Sequence, residues 1–152
     1  MLIVIPTYKR NQCLRWVLQS VIQSEISRIH EPVRVLIVNN YPPDAEKIKG
    51  IVEPFSSDER FEWKILYRKV TLMPVDNWYS AIFDNARRDE VVFINSDDDL
   101  LLPHSLQRRY FEINELGSDL LLSQLGGNIL FSEDGQRVMG EPHRNVLCNQ
   151  KS

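Results

Sequence analysis

Apolar residues recur along this chain in two alternating rhythms. Leu2-Ile3-Val4-Ile5 is a continuous aliphatic run closed by Pro6, which reads as a strand buried on both faces, as in parallel sheets. After Asn11, read as an N-cap, Leu14, Val17, Leu18, Val21 and Ile22 return at helical spacing and form one apolar stripe. Val33 to Val38 predicts a second buried strand, ending in Asn39-Asn40. Tyr41-Pro42-Pro43-Asp44 then turns the chain into a helix over Ala45 to Val52 with Asp44 as its cap. Phe61 to Tyr67 is a third, weaker strand. Asp76 or Asn77 is expected to cap a helix running to about Arg88, and Val91 to Ile94 forms a fourth strand that leads directly into Asn95-Ser96-Asp97-Asp98-Asp99. Pro103 suits a helix start, and Leu106, Tyr110, Ile113 and Leu116 make a stripe that stops at Gly117. Beyond it, Leu120 to Leu125 reads as a strand, and Asn128 to Ser132 with Gln136 to Met139 reads as a hairpin turning at Glu133-Asp134-Gly135.

Strands alternating with helices predict an α/β fold: a mostly parallel, Rossmann-like sheet with right-handed crossovers and helices on both faces, followed by a C-terminal β-hairpin. Residues 1–152 form a single domain in this reading, with 1–117 as its principal part and 118–152 as a short β region and tail. Open α/β sheets bind ligands beyond the carboxyl ends of their strands. The residues singled out by that rule are Pro6-Thr7-Tyr8, Asn39-Asn40 and Ser96 to Asp99.

Composition narrows the function classes. With 152 residues, 43% hydrophobic, 26% charged and a net charge of -3, the sequence has enough apolar material for one real core and no polyanion-binding bias. The basic pairs Lys9-Arg10, Arg87-Arg88 and Arg108-Arg109 are surrounded by acids, so no nucleic-acid partner is expected. Cys13 and Cys148 fit neither a disulfide scaffold nor a four-ligand zinc site, which points to a reducing, cytoplasmic setting. The apolar run before Pro6 is too short for a signal peptide or a transmembrane segment, so the domain is expected to be soluble or to lie against a membrane. Trp16, Trp63 and Trp78 read as core or helix-packing residues.

Three adjacent carboxylates at one strand tip repel each other, so a fold that keeps Asp97, Asp98 and Asp99 together must expose them to water or supply a cation. Oxygen ligands suit Mg²⁺ or Mn²⁺, and such an ion completes its shell with diphosphate oxygens. A plain acidic loop before a helix is the alternative. Neither G-x-G-x-x-G nor G-x-x-x-x-G-K-[ST] follows the first strand, so any phosphate must be neutralised by metal and by side chains such as Lys9 and Arg10. Tyr8 suits base stacking, and either Asn39 or Asn40 offers an amide to read a base edge.

Taken together, Ile3-Val4-Ile5-Pro6-Thr7-Tyr8-Lys9-Arg10, Val35 to Asn40, Asp76-Asn77-Trp78 and Val92 to Pro103 resemble the family 2 glycosyltransferases of the GT-A fold, over about residues 2 to 117. The resemblance implies an inverting, metal-dependent transfer of a sugar from a nucleotide diphosphate, often UDP, to an acceptor hydroxyl on a glycan, a lipid-linked carrier or a protein. It places Pro6, Thr7 and Tyr8 at base and ribose, Asn77 in the same cleft, Asp97 at the ribose, and Asp98 or Asp99 on the metal. It puts Asn39 where an acidic residue usually recognises uracil. The acceptor base expected of the family has no recognisable counterpart; Asp119, Glu133, Asp134, Glu141 and His143 are the groups available. Three alternatives stay open: a donor-binding half with little turnover, a metal-dependent nucleotidyltransferase, and a structural domain. Homo-oligomerisation would cover apolar surface that a second half otherwise covers.

Overall fold

A computed structural model of the chain describes residues 1–88, 90–116, 129–131 and 137–139. The elements are β1 (Leu2–Thr7), α1 (Asn11–Ile22), β2 (Val33–Asn39), a 3₁₀ turn (Pro42–Asp44), α2 (Ala45–Val52), β3 (Phe61–Tyr67), α3 (Pro74–Asn85), β4 (Val92–Ile94), α4 (Ser105–Leu116), β5 (Ile129–Phe131) and β6 (Arg137–Met139). The chain divides into two compact units, Met1–Tyr110 and Phe111–Ser152.

The first unit holds a four-stranded parallel sheet in the order β3-β2-β1-β4. The chain first builds outward from β1 through β2 to β3, then returns across the sheet to place β4 on the other side of β1. Strand alternation sends Leu2, Val4, Leu36 and Val38 to one face, where they pack with Ala81 of α3 and with the flanking Ile82 and Ala86. Ile3, Ile5, Val35 and Ile37 occupy the opposite face and are equally buried. There the buried stripe of α1 (Leu14, Val17, Leu18, Val21) and that of α2 (Ile48, Ile51, Val52), two helices packed on each other, supply the apolar cover.

Pro6 does not close β1 as expected; the strand continues to Thr7, in register with Asn39. Leu2 and Val4 bond towards β4, through Leu2 N–H to Val91 and Asn95 N–H to the Val4 carbonyl. Pro6 is the next residue in that series, and β4 has already ended at Ile94, so its missing donor falls where no partner strand remains. β1 therefore outruns β4, so its carboxyl end is unpaired on that side, at the edge where open α/β sheets form their ligand crevice.

Several helix boundaries differ from expectation. Asn11 lies inside α1 rather than capping it, because its amide donates to Asp44 Oδ2 at 3.1 Å. Asp44 does occupy the position before α2, but its buried carboxylate serves Asn11 and Lys47 instead of the helix end. α3 begins at Pro74, whose fixed φ suits a first turn, and so Asp76 and Asn77 are inside the helix. It ends at Asn85, short of Arg88, since Ala86 is extended and Arg87 N–H turns to Glu90. Pro103 precedes α4 by a short turn, with Ser105 N–H bonded to the Leu102 carbonyl. Trp16 and Trp78 are 54% and 41% exposed, so they are surface residues and not core. Trp63 is half-buried between Phe55 and Phe61.

β5 and β6 of the second unit pair antiparallel. The turn expected between them, the strand expected over Leu120–Leu125, and Asp119, Glu133, Asp134, Glu141, His143 and Cys148 lie outside the described residues. No helix among the described residues is long and apolar enough to cross a membrane. Leu36→Ala, at the centre of the α3-facing cluster, is expected to cost about 2–5 kcal/mol in urea unfolding. Val75→Ala, 71% exposed on α3, is expected to change stability by no more than about 0.5 kcal/mol.

Candidate functional site

The crevice lies where the chain reverses its direction across the sheet, the switch point at which open α/β sheets take ligands. Two loops meet there: Tyr8-Lys9-Arg10 after β1, and Asn95 to Asp99 after β4. Their junction is Asp97. Its carboxylate accepts Tyr8 N–H at 3.2 Å through Oδ2 and Arg10 Nη1 at 3.4 Å through Oδ1, and the residue is only 4% exposed. Arg10 Nη1 also reaches Asp98 Oδ2, while Ser96 Oγ donates to Asp98 Oδ1. One cationic nitrogen is thus shared by two carboxylates.

The Asp loop is held from beneath by Asn95. Its backbone N–H continues the ladder to Val4, and its side-chain amide donates to the carbonyls of Ser96 at 3.1 Å and Asp99 at 2.9 Å. An aspartate here would have nothing to donate, which explains an asparagine at the start of an acidic run. Downstream, Leu101 N–H donates to Ser20 Oγ and Glu25 N–H to the Pro103 carbonyl, so α1 and the turn after it anchor the segment that follows the carboxylates.

Lys9 has φ of 60°, a left-handed conformation that non-glycine residues rarely adopt, at the turn between β1 and α1. Its ammonium sits 5.0 Å from the Tyr8 ring centre and 4.5 Å from that of Tyr41, and the two rings meet edge to face at 5.5 Å. Contact with the Tyr8 hydroxyl, then the electrostatic pull of Tyr8 and of Tyr41, raise the Lys9 pKa above its ordinary value.

At the second strand tip the two asparagines have different fates. Asn40 closes a reciprocal clamp with Leu72, donating through Nδ2 and accepting through Oδ1, each at 2.9 Å. Asn39 accepts Tyr41 N–H at 3.0 Å, and its Nδ2 is buried without a partner among the described residues. Thr7, its register partner on β1, is buried too, with its hydroxyl close enough to favour the charged form of Asp97 but outside hydrogen-bond geometry to any described residue. Asn77 is 1% exposed and lies under Arg68, which donates from Nε to Asn77 Oδ1 at 2.9 Å and from Nη2 to Ser80 Oγ at 2.7 Å. Arg68 follows β3 directly. The strand-tip rule points to it, yet the expectation stopped at the other three tips.

Of the expected site residues, Thr7, Tyr8, Arg10, Asp97 and Asp98 are brought together, with Pro6 shaping the gap and Asn39 beside them. Asn40 and Asn77 serve to fix loops. Among the described residues no three His, Cys, Asp or Glu side chains converge into a ready metal cluster. A divalent ion nevertheless fits the donor chemistry, since Asp97 and Asp98 already place oxygens around one positive centre and Asp98 and Asp99 are exposed.

Burial raises the Asp97 pKa, against the opposing pull of the Thr7 hydroxyl, the Tyr8 N–H and Arg10, and burial with the nearby Asp98 charge raises that of Asp99. A carboxyl whose folded pKa exceeds its unfolded value opposes folding when ionised; the penalty is full at neutral pH and is relieved as pH falls through the folded value. Asp97→Asn is therefore expected to be at least as stable as wild type at neutral pH, with the difference shrinking on acidification, as measured by thermal unfolding across pH. Asn95→Asp, which removes both bracing donors, is expected to destabilise by about 1–3 kcal/mol in urea unfolding.

Residues 2–144 match Glycosyl transferase family 2. No curated protein matches the chain significantly. Among solved structures, S. aureus TarS residues 1–349 share 20% identity over 87% of this chain and 39% of theirs, with a TM-score of 0.67. The same protein in complex with UDP-GlcNAc gives 20% identity, coverage of 87% and 38%, and a TM-score of 0.67. A longer TarS structure gives 18%, 87% and 24%, with a TM-score of 0.64. The chain thus spans between a quarter and two-fifths of the length of these structures, whose GT-A-like fold it shares. With the family match covering nearly all of its length, the chain belongs to glycosyltransferase family 2.

Proposed function

We propose that this chain binds a nucleotide-diphosphate sugar, with UDP-sugars the first candidates, and serves metal-dependent, inverting transfer of the sugar to an acceptor hydroxyl. The observation that carries the reading is Asp97, buried at the switch point and tying the loop after β4 to Tyr8 and Arg10 after β1. The UDP-GlcNAc bound to TarS, a protein of the same fold, supports the choice of donor.

The roles follow from position. Tyr8, 44% exposed beside Tyr41, offers a face to the base. Asp97 holds the Tyr8 backbone in place and presents its remaining acceptor capacity to a ribose hydroxyl. Arg10, whose partners here are the carboxylates of Asp97 and Asp98, is placed to take up diphosphate oxygens. Asp98 and Asp99 would hold Mn²⁺ or Mg²⁺, which when bound supplies Lewis-acid neutralisation of the leaving diphosphate. Arg68 ties the end of β3 to Asn77 and Ser80 of α3.

Calorimetric titration of UDP and UDP-GlcNAc, with GDP as control, tests this with and without Mn²⁺. Uridine ligands are expected to bind in a Mn²⁺-dependent way, and Asp98→Ala or Asp99→Ala to weaken binding by on the order of tenfold or more. Binding that ignores both the metal and these substitutions, or no binding at all, would remove the basis for a metal-held donor and leave the aspartates as a solvated loop.

A further inference from the structure

The side chains that α3 buries are small or polar, and its large apolar ones face water. Asn77 and Ala81 are buried, the first under Arg68 and the second against Leu2, Val4, Leu36 and Val38. Two residues along a helix turn it by about 200°, so Tyr79, two residues from each of them, points away from the sheet. Val75, Tyr79 and Phe83 repeat at i, i+4 and i+8 and form one stripe on that outer side, 71%, 69% and 74% exposed. The Tyr79 and Phe83 rings stack, with centres 5.9 Å apart and planes 14° from parallel, so the stripe is an ordered flat surface. Trp78 widens it along one edge, and Asp76 and Asp84 stand exposed beyond the other.

A helix apolar on both faces belongs between two packed surfaces, and the sheet supplies only one of them. The exposed parts of Val75, Trp78, Tyr79 and Phe83 come to roughly 450 Å². A homodimer interface of ordinary size buries about 800 Å² on each copy, about 65% of it apolar, so this stripe brings close to the apolar area that one needs. It is also self-complementary. A two-fold axis through Tyr79 sets the small Val75 of one copy against the large Phe83 of the other, on both sides of the axis. We propose that the outer face of α3 binds a second copy of this chain, as an antiparallel pair of α3 helices about a two-fold axis. The same pairing brings Asp76 of each copy towards Asp84 of the other. Their repulsion opposes the apolar contact, so the dimer is weak at low salt and tightens as salt screens it.

Sedimentation equilibrium of the full chain over a range of concentrations tests this. A reversible dimer is expected, with a dissociation constant on the order of 10–100 μM that falls on adding salt. Phe83→Asp and Tyr79→Glu, at exposed positions that leave the fold intact by circular dichroism, are each expected to weaken it by on the order of tenfold or more. A second measurement leaves the stripe whole. In a Cys13→Ser/Cys148→Ser background, a short bis-maleimide is expected to link Asp76→Cys into covalent dimers, and to link Trp16→Cys, exposed on α1, far less. A chain that stays monomeric at every concentration, a dimer that both stripe variants leave unchanged, or one that salt dissociates overturns the proposal. Equal linking of the two cysteine variants overturns the two-fold pairing of α3.

Discussion

Consecutive carboxylates at a strand tip must be separated in space or neutralised, and the architecture around the crevice follows from how this chain does both. Asp97 turns inward to the Tyr8 N–H and Asp98 outward to Ser96, while Arg10 reaches across from the other loop to both. Asn95 holds the loop closed by donating to two of its own carbonyls. Each device needs the others: without the Asn95 brace the loop has no fixed ends, and without Arg10 the inward turn of Asp97 would bury a charge with no cation to meet it, only the Tyr8 N–H and the nearby Thr7 hydroxyl.

The sheet makes this arrangement possible by stopping unevenly. β1 is flanked on both sides, but its partner β4 ends early, and Pro6 guarantees that no further ladder bond forms there. A donor-bearing residue at that position could extend the β1–β4 ladder and narrow the gap in which Tyr8 and Asp97 meet. On the other side β1 stays paired as far as Thr7 with Asn39, so the two strands end together there. Topology and one imino acid thus locate the site before any side chain contributes chemistry.

Those features differ in how far they can be read from the sequence. The strands and the stripes of α1 and α2 were legible because burial on a sheet leaves a periodic apolar trace, and the strand tips follow from the fold. Residues that act by satisfying backbone groups leave no such trace. Asn95 looked like an ordinary residue before an acidic run, and Asn40 looked as eligible for base reading as Asn39 until the Leu72 backbone came to lie against it. Asn11 was read as a cap because its sequence neighbourhood is that of a helix start, yet Asp44, distant in sequence, captures its amide. The exposed Trp16 and Trp78 show the limit of composition, since an aromatic on a helix carries no label for which side faces water. Arg68 was discoverable from position alone, as the first residue beyond β3.

Electrostatics ties the proposed metal dependence to the proposed ligand. One guanidinium against three carboxylates leaves the Asp loop net negative, and the Asp98 charge adds to burial in raising the pKa values of Asp97 and Asp99. Lys9 does not relieve it, because its ammonium is engaged with the rings of Tyr8 and Tyr41. A diphosphate brought to this edge adds further negative charge, and Arg10 cannot serve the phosphates and both aspartates equally well. A divalent ion between the exposed carboxylates and the diphosphate removes the conflict and frees Arg10 for the phosphates, so ion and nucleotide should bind as a coupled pair, each weak without the other.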